Sequence, residues 1–177
     1  MDSIVQYWRI FGEYIPVLII SIVLLILINL IVYFVKIKKT TRREAFYTSI
    51  LELGTCIFVV IIGLMTLLPT RSKERYIFDS SINVEIIFNR DIEGLINLII
   101  FIPLFFILKI RFNRVSPLIF VLISFGLSVF IEFLQYILPL GRIATVNDVI
   151  LNTIGSTIGL LLAVLMLKLS NKSSKQR

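Results

Sequence analysis

The chain carries five long apolar stretches, and each is long enough to cross a lipid bilayer as a helix. A hydrocarbon core about 30 Å thick requires about 20 residues at about 1.5 Å per residue. The five stretches have 19 to 22 residues and are Ile15–Val35, Ile50–Leu68, Ile92–Ile110, Pro117–Leu138 and Val149–Leu167. They predict an all-α, polytopic membrane helix bundle with about five transmembrane helices. Pro103 interrupts the third stretch, so two alternatives to a straight spanning helix remain there: a kinked helix and a re-entrant segment.

Composition excludes several classes of protein. Hydrophobic residues make up 58% of the chain and charged residues 16%, which is too apolar for a water-soluble enzyme. The chain has no histidine, which excludes histidine-based catalytic triads and imidazole metal sites. The single cysteine, Cys56, excludes an intramolecular disulfide and a thiolate metal cluster. The sequence therefore predicts no metal site and no cofactor.

The basic residues predict an orientation in the membrane. Most of the 18 lysines and arginines fall in the first loop, the third loop and the C-terminal tail, where Glu44 is the one acid. Because basic loops stay on the cytoplasmic side, we expect the N-terminus outside and the C-terminus in the cytoplasm of a multi-pass plasma-membrane protein. The net charge of +7 thus indicates orientation rather than a nucleic-acid partner.

Polar side chains recur on one face of three predicted helices, in the half nearer the outer surface. Ser128, Glu132 and Gln135 share a face of the fourth helix, and the short loop after it carries Arg142. A charged residue near a helix centre costs about 2.5–3.5 kcal/mol on insertion, which makes Glu132 the strongest functional candidate. The sequence predicts a polar pocket open to the outer leaflet, formed by Glu93, Asn97, Glu132, Gln135, Arg142, Asp148 and Asn152.

Structural roles stay open for most of these residues. Asn97, Gln135 and Asn152 also fit simple hydrogen bonding between helices. Glu93 and Asp148 lie near predicted helix starts, where a carboxylate is favoured as a cap.

Other residues predict packing rather than binding. Gly155 and Gly159 form a small-xxx-small pattern typical of close helix packing. Pro103 is interpreted as a kink in the third helix. We expect Glu52 to snorkel at the cytoplasmic end of its helix or to pair with basic residues there.

These residues form a joint pattern that resembles the VanZ-like family. The pattern comprises S-x-x-x-E-x-x-Q from Ser128, G-R at 141–142, and D-x-x-x-N-x-x-G-x-x-x-G from Asp148. Upstream, N-x-x-x-F-x-P begins at Asn97 and T-L-x-P at Thr66. The resemblance covers about residues 60–165. It divides the chain into an N-terminal helix with a basic loop (1–49), a VanZ-like transmembrane domain (50–168) and a basic cytoplasmic tail (169–177).

The sequence departs from the family pattern at three places. Thr145 stands where the family commonly has an acid, which weakens any metal-binding or acid–base role that needs three carboxylates. Phe105 stands where it commonly has a glycine, which predicts tighter packing of the third helix. The family's N-L-I-P-F-like element has only a distant substitute at Asn83–Phe88.

The resemblance implies a cell-envelope membrane protein of a Gram-positive bacterium, associated with antibiotic resistance to the glycopeptide teicoplanin. The favoured hypothesis is a non-enzymatic protein that engages a polar head group, with membrane lipids, a lipid-linked cell-wall precursor or a lipoglycopeptide as candidate partners. One alternative is a membrane enzyme on a lipid-linked substrate, with Glu132 as acid or base and Ser128 as nucleophile. A transporter using Glu132 and Asp148, and a scaffold docking through Gly155–Gly159, are the others. Homo-oligomerisation stays open, and no catalytic residue is assigned.

Overall fold

The chain folds into a helical bundle. The computed structural model describes residues 12, 14–67, 78–79, 92–138, 140 and 143–175, without the side chains of 92–94 and 171–175. The described residues form five helices and two very short strands. In chain order these are α1 (Ile15–Lys36), α2 (Arg42–Leu67), β1 (Phe78–Asp79), α3 (Ile92–Arg111), α4 (Pro117–Ile137), β2 (Ala144–Thr145) and α5 (Val146–Lys175). The predicted all-helical fold is confirmed.

Four of these helices are long and apolar enough to cross a membrane. Among the described residues they are Ile15–Lys36, Arg42–Leu67, Pro117–Ile137 and Val146–Ser170. The remaining helix, α3, covers the third predicted stretch and continues through Pro103 to Arg111. These lengths and compositions indicate a membrane protein. The side on which each terminus lies stays a prediction from the basic loops.

Local sequence signals explain where several helices begin. A proline occupies the first turn of α1 and of α4, where its missing N–H removes no helical hydrogen bond. Thr41 precedes α2, and its Oγ1 accepts a hydrogen bond from the Glu44 N–H at 3.3 Å. This is the geometry of a threonine N-cap, which satisfies one of the free amides at the start of a helix.

The apolar core is centred on α3. Phe101, Leu104 and Phe105 are almost fully buried, and the rings of Phe101 and Phe105 stack with centroids 6.2 Å apart. Phe120 of α4 and Leu160 of α5 join the same cluster. By contrast, α1 has no buried residue, so its apolar surface is left for lipid. The core therefore lies among α2 to α5, with α1 at the periphery.

Two glycines bring α5 against α3. A Cβ at Gly155 would overlap the carbonyl oxygen of Leu98, and a Cβ at Gly159 would overlap that of Ile102. Any larger residue would force the two backbones apart, because the overlapping atoms belong to main chain and cannot rotate away. The stripe of small residues is thus the contact surface between α3 and α5.

An ion-pair cluster marks one end of the bundle, which we call the basic end. Glu52 of α2 pairs with Lys36 of α1, and its Oε1 lies 3.0 Å from Nη2 of Arg111 of α3. The expected pairing of Glu52 is confirmed. Nearby, Nδ2 of Asn29 donates to the carbonyl oxygen of Ser49 at 3.0 Å, which links α1 to α2.

The glycine contact makes a prediction about stability. Gly159→Ala should destabilise the detergent-solubilised protein by about 1–3 kcal/mol, because the added methyl collides with the α3 backbone. Thermal unfolding measures the change. Gly126→Ala on α4 is the matched control, since a Cβ there meets nothing within 4 Å and alanine is the better helix former. Equal melting temperatures for the two variants would contradict the close approach of α3 and α5.

Candidate functional site

Paired polar side chains run along the interface between α4 and α5. Oγ of Ser124 donates to Oγ of Ser156, and Nδ2 of Asn152 donates to Oγ of Ser128 at 2.7 Å. All four residues are at most 1% exposed. Because each helix contributes residues four apart, the two pairs lie one helical turn from each other. We call these four residues the polar seam.

Two carboxylates lie one turn beyond the polar seam, at the end of the bundle opposite the basic end. Glu132 follows Ser128 by four residues on α4, and Asp148 precedes Asn152 by four on α5. Glu132 is only 5% exposed, whereas Asp148 is half-buried. The antiparallel register of α4 and α5 therefore places the two acids at the same level.

Thr145 links the two carboxylates. Its backbone N–H donates to Oε2 of Glu132, and its hydroxyl donates to Oδ2 of Asp148, both at 3.0 Å. The N–H of Asp148 in turn donates to Oγ1 of Thr145 at 3.0 Å. Thr145 is thus the N-cap of α5 and holds Asp148 in a variant of the capping box. In the usual capping box, the acid three residues into the helix accepts a hydrogen bond from the backbone N–H of the N-cap residue. Here Glu132 of α4 accepts that hydrogen bond from Thr145.

A third helix, α3, also contacts the carboxylate of Asp148. Nδ2 of Asn97 on α3 donates to Oδ1 of Asp148 at 2.7 Å. Both carboxylate oxygens of Asp148 are therefore engaged, one by α3 and one by Thr145. We call Asn97, Glu132, Thr145 and Asp148 the carboxylate cluster.

Two short strands attach a distant segment to this cluster. β1 pairs with β2 in parallel, with Phe78 opposite Ala144 and Asp79 opposite Thr145. The ring of Phe78 also meets that of Tyr136 edge-on, with centroids 6.3 Å apart. Phe78 and Asp79 are therefore held beside the carboxylate cluster.

The family model for VanZ/LLP1 matches residues 16–167 of the chain. The chain belongs to the VanZ/LLP1 family. The match begins within α1 and ends within α5, so it covers α2, α3 and α4 completely and α1 and α5 in part. No curated protein and no solved structure matches the chain.

In this VanZ/LLP1 protein, the departure at position 145 falls within the carboxylate cluster. An acid there would place a third carboxylate beside Glu132 and Asp148. Thr145 instead donates its hydroxyl hydrogen to Asp148, which an ionised acid cannot do. Among the described residues, no three acids or cysteines are grouped so that they could hold a metal ion.

The structure separates Gln135 from the other predicted site residues. Nε2 of Gln135 donates to the carbonyl oxygen of Thr66 at 2.9 Å, which links α4 to the end of α2. The hydroxyl of Thr66 donates to the carbonyl oxygen of Ile62 at 2.7 Å, so its own hydrogen bond is made within α2. Arg142 and the side chain of Glu93 lie outside the described residues.

Two buried amide oxygens near the cluster accept no hydrogen bond within the described part of the chain. They are Oδ1 of Asn147 and Oδ1 of Asn152, on residues 5% and 1% exposed. A buried acceptor without a donor costs about 1–3 kcal/mol, so these two amides lower the stability of the fold at this end. The site as a whole is rich in hydrogen-bond acceptors.

Two residues found here were not among the predicted site residues: Thr145, which the sequence marks only as a departure from the family pattern, and Asp79, which lies beside the cluster. Thr145 is signalled by the T-x-x-D spacing to Asp148 before an apolar run, which is typical of a helix N-cap. Asp79 has no comparable signal, because its position follows from the register of two strands far apart in the sequence.

The Thr145 contacts predict an effect on stability. Thr145→Val keeps the shape of the side chain but removes the hydroxyl, and should lower the free energy of unfolding by about 1 kcal/mol through loss of the N-cap. Thr145→Ser retains the hydroxyl and should stay close to wild type in thermal unfolding. If valine and serine gave the same melting temperature, the hydroxyl would not be holding Asp148.

Proposed function

We propose that this VanZ/LLP1-family protein is a non-enzymatic plasma-membrane protein that engages a polar head group at the carboxylate cluster. By doing so it alters the response of the cell envelope to glycopeptide antibiotics such as teicoplanin. The observation that carries the proposal is the junction of Glu132 and Asp148, two acids from different helices, on the single residue Thr145. With the basic end in the cytoplasm, this junction faces the outer leaflet.

The chemistry of the cluster supports a ligand that donates hydrogen bonds. Carboxylates accept hydrogen bonds, and those from charged donors are the stronger ones. Asn97 and Asp148 are half-buried and form the part of the cluster that a ligand can reach, whereas Glu132 is buried. Hydroxyl, amide and amine groups of a lipid-linked cell-wall precursor or of a lipoglycopeptide meet this requirement.

The environment of Ser128 favours binding over catalysis. A serine nucleophile needs a neighbouring base to take its proton and needs access to the substrate. The Ser128 side chain is fully buried, and its Oγ accepts a hydrogen bond from the amide of Asn152, which is no base. Ser128 is therefore poorly placed to attack a lipid-linked substrate.

The length of the polar seam favours one-sided binding over transport. Beyond the Ser124–Ser156 pair, the residues one turn further along α4 and α5 are Phe120 and Leu160, both apolar and buried. Hydrated polar groups that relay an ion must continue across the membrane. Here the paired polar residues of α4 and α5 stop at the apolar core.

The proposal predicts the effect of two isosteric substitutions. Glu132→Gln and Asp148→Asn should each return teicoplanin tolerance to the level of empty vector. Asp148→Asn loses a charge-assisted hydrogen bond to the ligand of about 1.5–3 kcal/mol, which weakens binding about ten- to a hundredfold. Glu132→Gln acts indirectly, because it removes the charged acceptor of the Thr145 N–H and Thr145 in turn holds Asp148. Teicoplanin susceptibility of a Gram-positive host expressing each variant measures this. Vancomycin, which lacks the lipid tail, should distinguish none of the strains.

Glu52→Gln is the matched control for this experiment. It removes the same charge at the basic end, away from the cluster, and should keep the tolerance of wild type at equal membrane levels. Full tolerance in both cluster variants, or no change on expressing wild type, would refute the proposed function.

A further inference from the structure

A groove lies at the opposite end of the protein, where α2 begins. It encloses about 500 Å³ and is lined by Thr41, Arg43, Glu44, Phe46 and Tyr47. All five residues are exposed. Because α2 is one of the helices long enough to span the membrane, the groove lies at the level where apolar helix surface gives way to polar turn.

Three of the cations on the helices at this end are already engaged by the protein. Lys36 and Arg111 both pair with Glu52. Lys109, only 4% exposed, donates to the carbonyl oxygens of Asn113 and Val115, each at 2.7 Å. These groups stabilise the fold and are not free to bind an external anion.

The turn between α1 and α2, together with the first residues of α2, carries a second set of cations with no such role. Lys38, Lys39, Arg42 and Arg43 lie within six residues and pair with no acid in the described part of the chain. Glu44 is the one acid among them, so the turn keeps a net positive charge. Arg43 is the member of this set that lines the groove.

Aromatic rings form the other wall of the groove. Phe46 is 59% exposed and Tyr47 is 52% exposed. The ring of Phe46 also meets Tyr33 of α1 edge-on, with centroids 6.4 Å apart. Exposed aromatic residues at a helix end favour the interface between lipid headgroups and acyl chains.

We propose that this groove binds the headgroup of an anionic phospholipid, with the phosphate on Arg43 and the glycerol region against Phe46 and Tyr47. A guanidinium group matches the geometry of a phosphate with two parallel hydrogen bonds. The exposed rings and the lipid-facing helices beside the groove favour a membrane lipid over a soluble anion. The inference is independent of the head-group site at the carboxylate cluster.

Competition between two lipids in native mass spectrometry tests the proposal. The detergent-solubilised full-length protein is mixed with equal amounts of phosphatidylglycerol and phosphatidylcholine that have the same acyl chains. Wild type should retain phosphatidylglycerol about fivefold over phosphatidylcholine, the preference expected from one interfacial cation. Arg43→Gln should reduce the ratio of bound phosphatidylglycerol to phosphatidylcholine to about one. Arg43→Lys should give an intermediate ratio, because lysine keeps the charge but lacks the two parallel N–H donors of the guanidinium group.

Arg42→Gln is the matched control, since it removes the same charge from the neighbouring residue, which does not line the groove. It should retain most of the preference for phosphatidylglycerol. Equal losses in Arg42→Gln and Arg43→Gln would indicate diffuse attraction to the basic turn and would overturn the groove as the site. Displacement of the lipid by inorganic phosphate would identify a soluble-anion site and also overturn the proposal. Circular dichroism checks that the helices are retained. If Arg43→Gln does not fold, an intermediate ratio for Arg43→Lys supports the proposal and a ratio equal to that of wild type overturns it.

Discussion

The contact of Gly155 and Gly159 with the backbone of α3 sets the distance on which the carboxylate cluster depends. Asparagine has a short side chain, so Asn97 of α3 can reach Asp148 of α5 at 2.7 Å only where the two helices lie close together. The glycines continue the same face of α5 that carries Asp148. A packing feature in the apolar region therefore determines the geometry of a polar site about two helical turns away.

The polar seam performs the corresponding task between α4 and α5. Inside a membrane a polar group without a partner is costly, so the Ser128–Asn152 pair favours one register of the two helices over its neighbours. That register brings Glu132 level with Asp148, where Thr145 joins them. Interhelical hydrogen bonds of this kind contribute only about 0.6 kcal/mol each on average, so their larger effect is on alignment.

The sequence predicts the helices and the polar faces better than it predicts the contacts between them. Apolar length and i, i+4 spacing identify the helices and place Asn97, Glu132 and Asp148 at one end, because both signals are local. Gln135 shares a face with Glu132 but bonds to α2, since its partner depends on how α4 packs and not on its own helix. Asp79 pairs with Thr145 in the strand register although the two residues are 66 positions apart, and no local pattern predicts such a pairing.

The contacts of α1 and α2 bear on the order in which the protein enters the membrane. The Asn29–Ser49 hydrogen bond and the Lys36–Glu52 pair join residues 20 and 16 apart, within a single helical hairpin. These two contacts can form as soon as α2 leaves the ribosome. The Asn97–Asp148 bond spans 51 residues, and every member of the carboxylate cluster bonds to Thr145 or Asp148. The site is therefore completed only after the first turn of the last described helix, which contains Asp148, has been synthesised.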